Sequence, residues 1–307
     1  MRINIYNWNC VLDEVLPELL KRGHTFVQQP EDADVVVLWN EIKHAGWLDI
    51  IKRGQKKGIP VILYQQGIWG IDRVQPPFNE KIHSDIVLVW GEGDKKRLEN
   101  CGVDKKIIIT GSPILRRLKS KVKHKGKNVV FVLEHWDYSE VPENMMVYSE
   151  LRKLRGFNVI IKALAREHNL DLYENVVVSH RYDNNHLDIC ADLLAETDLV
   201  VAISESTFAL MAEAMDIPVV IADIWMPKER AGEKIYLDYK HPFTKAVAKA
   251  KLEDLNETIK KHLKHPELLQ KERKEMAIEN GGLDKGNPVE NIIKCIEDSA
   301  KLKNTQK

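Results

Sequence analysis

Residues 196–223, ETDLVVAISESTFALMAEAMDIPVVIAD, constrain the fold of this chain more than any other stretch. The apolar run Leu199–Ile203 leads into a short polar segment, then a small-residue helical segment, then a second apolar run, Pro218–Ala222. Short apolar runs rich in branched residues, separated by one helix-length segment, are neighbouring strands of a parallel sheet joined by a crossover helix. The polar segment of such a βαβ unit lies beyond the C-terminal end of its first strand, where open α/β sheets bind ligands. The backbone donors of the helix that follows favour phosphate or another anion. Ser204, Glu205, Ser206 and Thr207 are therefore the first candidate ligand residues.

The same alternation runs through the rest of the chain. In the first half, strands are expected at 3–6, 35–39, 60–64, 86–90 and 107–110, with helices at 12–22, 48–57 and 94–100 that end near Gly23, Gly58 and Gly102. The pattern restarts at Asn128, with strands at 129–133, 158–163, 176–179, 199–203 and 218–222 and helices at 142–155, 187–195 and after Glu205. A loop-rich aromatic stretch, 227–243, precedes helical segments at 252–262, 266–278 and 288–302. The fold expected is α/β, with two doubly wound Rossmann-like domains facing a cleft. The division is 1–120, 121–285, and a C-terminal helix at 286–307 that returns to the first domain and ends in a frayed tail. A chain of 307 residues suits two domains.

Charge and cysteine usage narrow the class of partners. The 46 Lys and Arg residues are matched by 46 Asp and Glu, which gives no global attraction to nucleic acid or to an anionic membrane. Seven basic residues and no acid lie between Arg116 and Lys127. That stretch reads as a solvated interdomain linker, or alternatively as a contact for a phosphate-rich or membrane-surface acceptor. Cys10, Cys101, Cys190 and Cys295 are far apart and form no CxxC pair, so neither a disulfide framework nor a zinc site is expected. No secretory signal and no membrane-length apolar run stand out, and the expected location is the cytoplasm, with peripheral membrane contact as an alternative.

Two α/β domains joined by a charged linker, followed by SESTFALMAEAMDIPVV, resemble glycosyltransferases of the GT-B class. Glu205 and Glu213 have seven residues between them, and Glu213-Ala214-Met215 precedes Ile217-Pro218-Val219-Val220, which is similar to the nucleotide-sugar half of families with a Glu-x7-Glu signature. Residues 89–113, VWGEGDKKRLENCGVDKKIIITGSP, resemble the interdomain connection of enzymes that polymerise capsule or teichoic-acid-like glycans. The resemblance spans about residues 60–225. It implies that the protein is an enzyme transferring a sugar from a nucleotide diphosphate sugar to a hydroxyl-bearing glycan or related acceptor. It also implies that the first domain faces the acceptor and the second binds the donor, with no cofactor beyond that donor. A nucleotide-sugar epimerase, a glycerophosphate transferase and a catalytically inactive nucleotide-binding regulator remain the alternatives.

The resemblance assigns roles to particular residues. Glu213 would accept hydrogen bonds from the ribose and Glu205 would orient donor-sugar hydroxyls, with Ser204, Ser206 and Thr207 near the diphosphate. If both glutamates lay on one helix, eight steps of about 100° would leave them within roughly 80° of each other. Glu205, however, belongs to the preceding loop, so the two have different roles. Lys162, at an apolar strand end, would offset charge on the leaving diphosphate; the alternative is an exposed lysine. His180 and Arg181 follow another strand, and Arg181 can give a charge-assisted hydrogen bond to the nucleotide. His180, Asp183 and His186 are too loosely spaced for a metal site.

On the acceptor side stand Gln66 and Gly67, where related glycan-polymerising enzymes carry a histidine and a glycine. A glutamine cannot take a proton efficiently, so Asp72, Asp13 or Glu134 would serve an inverting reaction. Glu134-His135-Trp136 follows the first strand of the second domain, and Trp136 offers a flat apolar face for a sugar ring. Trp8, Trp39, Trp47 and Trp69 read as core and local packing. The sequence has no GxxxxGK[ST] loop, HExxH site or GxSxG elbow. No DxD forms a convincing metal clamp, so no metal is expected and turnover should survive chelation. No nucleic-acid partner is expected.

Overall fold

The computed structural model describes residues 1–6, 13–39, 45–65, 67, 82–122, 127–133, 142–164, 169–179, 185–204, 206–224, 229–230, 233–234 and 245–305. The chain divides into two compact units, one formed by Met1–Arg116 with Ile278–Lys307 and the other by Arg117–Ala277.

The first unit begins β1 (Arg2–Tyr6), α1 (Val15–Lys21), β2 (Thr25–Phe26), β3 (Val35–Leu38), α2 (Ala45–Lys56) and β4 (Val61–Tyr64). It continues β5 (Ile86–Val89), α3 (Glu92–Asn100), β6 (Lys106–Ile109) and α4 (Pro113–Arg116). The six strands form one parallel sheet in the order β2-β1-β3-β4-β5-β6. Every residue of β3 and β5 is buried, which is why these strands read as unbroken apolar runs rather than alternating ones. Trp47, Ile50 and Ile51 of α2 pack on Val36, Leu38 and Val61. Trp47 also meets Tyr6 and Trp39 edge-on, with ring centroids at 5.0 and 5.4 Å. Trp39 and Trp47 are thus packing residues, whereas Trp8 and Trp69 lie outside the described residues.

The second unit contains β7 (Asn128–Val132), α5 (Pro142–Leu151), β8 (Asn158–Leu164), β9 (Val176–Ser179), α6 (His186–Ala195), β10 (Leu199–Ala202), α7 (Thr207–Ala214) and β11 (Val219–Ala222). A two-stranded antiparallel pair follows, β12 (Glu229–Arg230) and β13 (Glu233–Lys234), and then β14 (Ala248–Ala250) and α8 (Leu255–Lys264). The main sheet is again six-stranded and parallel, in the order β14-β11-β10-β7-β8-β9. Its core packs Val129, Phe131, Ile161, Ala163, Leu199 and Val201 against Val147 and Leu151 of α5 and Leu255 and Ile259 of α8.

Helix α9 (Gln270–Gly281) carries the chain across the unit boundary, and α10 (Pro288–Thr305) belongs to the first unit. Val289, Ile292, Ile293, Ile296 and Ala300 of α10 recur at helical spacing and are buried, with α10 packed on α1 and β3. Arg22 pairs with Glu290 at 2.5 Å and His24 Nε2 approaches Glu297 at 2.9 Å, which ties α10 to the chain after α1. A Cβ on Gly282, whose φ is +63°, would sit 2.1 Å from the Trp90 carbonyl oxygen. Only glycine fits this left-handed turn so close to the end of β5.

The basic stretch is not bare. Arg117 pairs with Asp188 at 3.4 Å, Lys119 with Asp192, and Lys121 with Asp198 at 3.1 Å. The Val122 amide donates to the Ala195 carbonyl at 2.7 Å. Every second residue of an extended segment thus meets an acid on or just after α6. Such exposed pairs add little energy each but fix where the segment lies on the second unit.

Candidate functional site

Strand order locates the ligand edge of the second unit. From β7 the chain steps to β8 and β9 on one side, then crosses to β10, β11 and β14 on the other. The connections after β7 and β10 therefore diverge, and the crevice beyond their C-terminal ends is the switch point at which open α/β sheets take ligands. Val201 of β10 is in register with Phe131 of β7, and Val132 of β7 with Lys162 of β8. The ends of all three strands consequently lie side by side.

Leaving β10, the chain passes Ser204 and enters α7. Ser206 is the N-cap, with φ −135° and ψ 169°, and its Oγ accepts from the Ala209 amide at 3.3 Å. This satisfies one of the orphan donors of the first turn. The Thr207 and Phe208 amides belong to the same turn and have no acceptor within the helix, so they supply the positive end of the helix dipole. The Ser206 hydroxyl keeps its own proton for donation. Ser204, Ser206 and Thr207 are half-buried.

Lys162 stands two residues before the end of β8 and is 4% exposed. Its Nζ donates to the Ala163 carbonyl at 3.0 Å. The exposed-lysine alternative is thereby overturned. Because successive strand residues alternate faces, Lys162 lies opposite the face on which Ile161 and Ala163 join the core of α5 and α8. There it is near Cys190 of α6. Burial pushes the Cys190 thiol up, while the Lys162 charge and a hydrogen bond from Ser179 pull it down. Ser179, the last residue of β9, is 2% exposed, and its Oγ lies 2.9 Å from His186 Nδ1 at the start of α6. Lys162, Ser179, His186 and Cys190 thus form one polar cluster under the ends of β8 and β9. A serine closing an apolar strand and a cysteine four residues after a histidine were the only sequence signals for it, and both are commonplace.

Glu213 is 2% exposed, so it is not a solvent-facing helix acid. Gly67 is buried, and its carbonyl accepts from Gln65 Nε2 at 3.3 Å. Asp13 is half-buried. Glu205, Asp72, Glu134, His180, Arg181, Gln66, His135 and Trp136 lie outside the described residues. Among the described residues no group of three or more His, Cys, Asp or Glu side chains is placed to hold a metal ion, and no helix is long and apolar enough to cross a membrane. Cys101, Cys190 and Cys295 are unbridged.

No family model matches the sequence, and no curated protein does either. Solved structures do match. The wall teichoic acid polymerase TagF aligns at a TM-score of 0.63 and 12% identity, covering 98% of this chain and 88% of its own. A putative UDP-N-acetylglucosamine 2-epimerase from Listeria monocytogenes gives 0.61 and 13%, covering 97% of this chain and 95% of its own. The spinosyn rhamnosyltransferase SpnG, with spinosyn aglycone bound, gives 0.56 and 12%, covering 96% and 100%. At these identities the likeness is one of fold. The chain has a GT-B-like fold of two parallel α/β units.

Proposed function

We propose that the protein transfers a sugar from a nucleotide diphosphate sugar to a hydroxyl group of a glycan or related acceptor, with the donor bound by the second unit and the acceptor by the first. The observations that carry this reading are the capped N-terminus of α7 at the switch point after β10 and the buried Lys162 near the end of β8, two strands along the same sheet. A diphosphate is the ligand whose charge both features match.

In the reaction, the bond from the anomeric carbon to the diphosphate breaks, a bond from the acceptor oxygen forms, and the acceptor proton passes to solvent or to a carboxylate such as Asp72 or Glu134. The leaving nucleoside diphosphate gains negative charge. The Thr207 and Phe208 amides, the Ser206 hydroxyl and the Lys162 ammonium would stabilise that charge, each oriented donor contributing on the order of 2–4 kcal/mol if aimed at the transition state. Glu205 would orient the donor sugar and Glu213 the ribose, with His180 and Arg181 at the nucleotide. Gln66, Gly67, His135 and Trp136 would meet the acceptor, and a membrane-surface glycan is one such acceptor. No resident metal or cofactor takes part.

A mass-resolved screen with UDP, GDP and CDP sugars and a panel of glycan acceptors tests the proposal. It predicts an acceptor that gains the mass of one sugar. An isomerised donor with no acceptor gain would replace it with epimerase chemistry, gain of a glycerophosphate mass with a polyol-phosphate transferase, and binding without product with a regulatory role.

A further inference from the structure

In the polar cluster under the ends of β8 and β9, one residue meets two of the others. Lys162 of β8 is in register with Val177 of β9, and Leu164 with Ser179, so Lys162 and Ser179 stand on the same face of the sheet. The Lys162 ammonium bonds the Ala163 carbonyl at 3.0 Å, which turns the side chain along β8 towards the level of Ser179. On α6, His186 and Cys190 are four residues apart and share a helix face. Ser179 Oγ lies 2.9 Å from His186 Nδ1, so that helix face is turned to the end of β9.

The directions of the bonds follow from these contacts. Burial raises the Cys190 thiol above its ordinary value, and the Lys162 charge and a hydrogen bond from Ser179 oppose that rise. A bond that favours the charged thiolate is one in which the hydroxyl donates. The hydroxyl has a single proton, so when Ser179 donates to Cys190 it must accept from His186, which places the imidazole proton on Nδ1. The chain from His186 through Ser179 therefore runs one way and ends on the Cys190 sulfur, beside the Lys162 charge. Helix packing does not require it. Leu187, Ala191 and Leu194 already bury α6, and a hydroxyl, a thiol and an ammonium buried together cost more than apolar side chains of the same volume. We propose that Ser179 is a positioning residue for Lys162: held by His186 and bonded to Cys190, it turns the sulfur towards the ammonium and so fixes where Nζ stands near the end of β8. The effect on turnover rests on the transferase reading above, in which that ammonium meets the leaving diphosphate.

Ser179→Ala, which removes the hydroxyl, is compared with Ser179→Thr, which restores it. On the protein without substrates, the Lys162 ammonium is followed by NMR as the proton–nitrogen cross-peak that Lys162→Met deletes, and the His186 tautomer is read from its ring nitrogen shifts at alkaline pH. The wild-type ring should carry its proton on Nδ1. Ser179→Ala should move the Lys162 cross-peak, and Ser179→Thr should bring it back. With donor and acceptor present, Ser179→Ala should lower kcat about tenfold, the worth of one neutral hydrogen bond, with donor KM within about twofold of wild type. Cys190→Ala, which takes the sulfur from the end of the chain, should reproduce both effects if Ser179→Ala folds poorly. An unmoved Lys162 cross-peak in folded Ser179→Ala, a moved one with wild-type kcat, or a wild-type imidazole protonated on Nε2 alone would overturn the proposal. Absence of wild-type product with every donor would instead remove the transferase reading, and the cross-peak would still decide whether Ser179 positions Lys162.

Discussion

Replacing Lys162 with Met separates a catalytic lysine from a structural one. The side chain is 4% exposed, and its Nζ donates to the Ala163 carbonyl. Burying an ammonium costs several kcal/mol before its partners are counted, whereas Met has a similar length and no charge to desolvate. Loss of the hydrogen bond to the neutral Ala163 carbonyl, one of the contacts the ammonium makes, costs about 1 kcal/mol. The two effects oppose each other, and the Tm of Lys162→Met should stay within about 4 °C of wild type. Turnover should behave differently. If the ammonium acts on charge that develops as the diphosphate leaves, its removal takes away about 2.7 kcal/mol of transition-state stabilisation, or about 10²-fold in kcat, with little change in donor affinity. A second readout comes from Cys190, whose thiol Lys162 pulls down against burial. In Lys162→Met the Cys190 peptide should alkylate more slowly at a given pH, as followed by mass spectrometry. Thermal melts, single-turnover kinetics and donor titration on one preparation decide the matter. A folded Lys162→Met protein with wild-type kcat would refute the assignment.

Other outcomes follow from the second unit. Arg273 is 1% exposed and donates to Asp216 at 2.6 and 3.0 Å, to Leu268 O at 2.6 Å and to Pro266 O at 2.7 Å. Arg273→Met should lower unfolding free energy by about 3 kcal/mol in urea, because it strands two carbonyls and a carboxylate. Asp216→Asn, at a half-exposed partner, should cost much less, and equal costs would contradict the account. His262 on α8 is 6% exposed, and its pKa is held below the ordinary histidine value by burial first and then by Lys261 and Arg273. The unfolded chain therefore binds the proton more readily, so His262 contributes stability above about pH 6.5 that is lost as pH falls towards its folded-state value. His262→Gln should flatten the stability profile below that pH, and an unchanged slope would exclude His262 as its source.

Strand-forming runs such as VVVL at 35–38 and IVLV at 86–89 were legible because burial on both faces leaves little but branched apolar residues. β2 and β14 were not legible. Thr25–Phe26 is two residues long and Ala248–Lys249–Ala250 has no branched side chain; both become strands through pairing at a sheet edge. The strand orders were equally hidden, since crossover direction is settled by tertiary packing rather than by local periodicity. For the candidate site, the polar run from Ser204 to Thr207 marked the segment before a small-residue helix, while the capping role of Ser206 is seen only in its contact with the Ala209 amide. Its legibility ended there. The burial of Lys162 was hidden, because a lysine near a strand end looks the same in sequence whether its stem runs to solvent or under a helix. Gln65 was missed for a related reason: a glutamine after VILY reads as the start of a loop, and only its contacts with Trp90 and Asp94 reveal it as interior.

The central claim, that the switch point of the second unit is the donor site, is tested most directly by hydrogen exchange with and without saturating UDP, GDP and CDP. The account predicts that at least one nucleoside diphosphate protects the amides of residues 203–210 and the end of β8, and that Ser206→Pro, which removes the cap and the Ser206 amide at the head of α7, abolishes that protection. Protection confined to the first unit, or none with any of the three nucleotides at millimolar concentration, would contradict it.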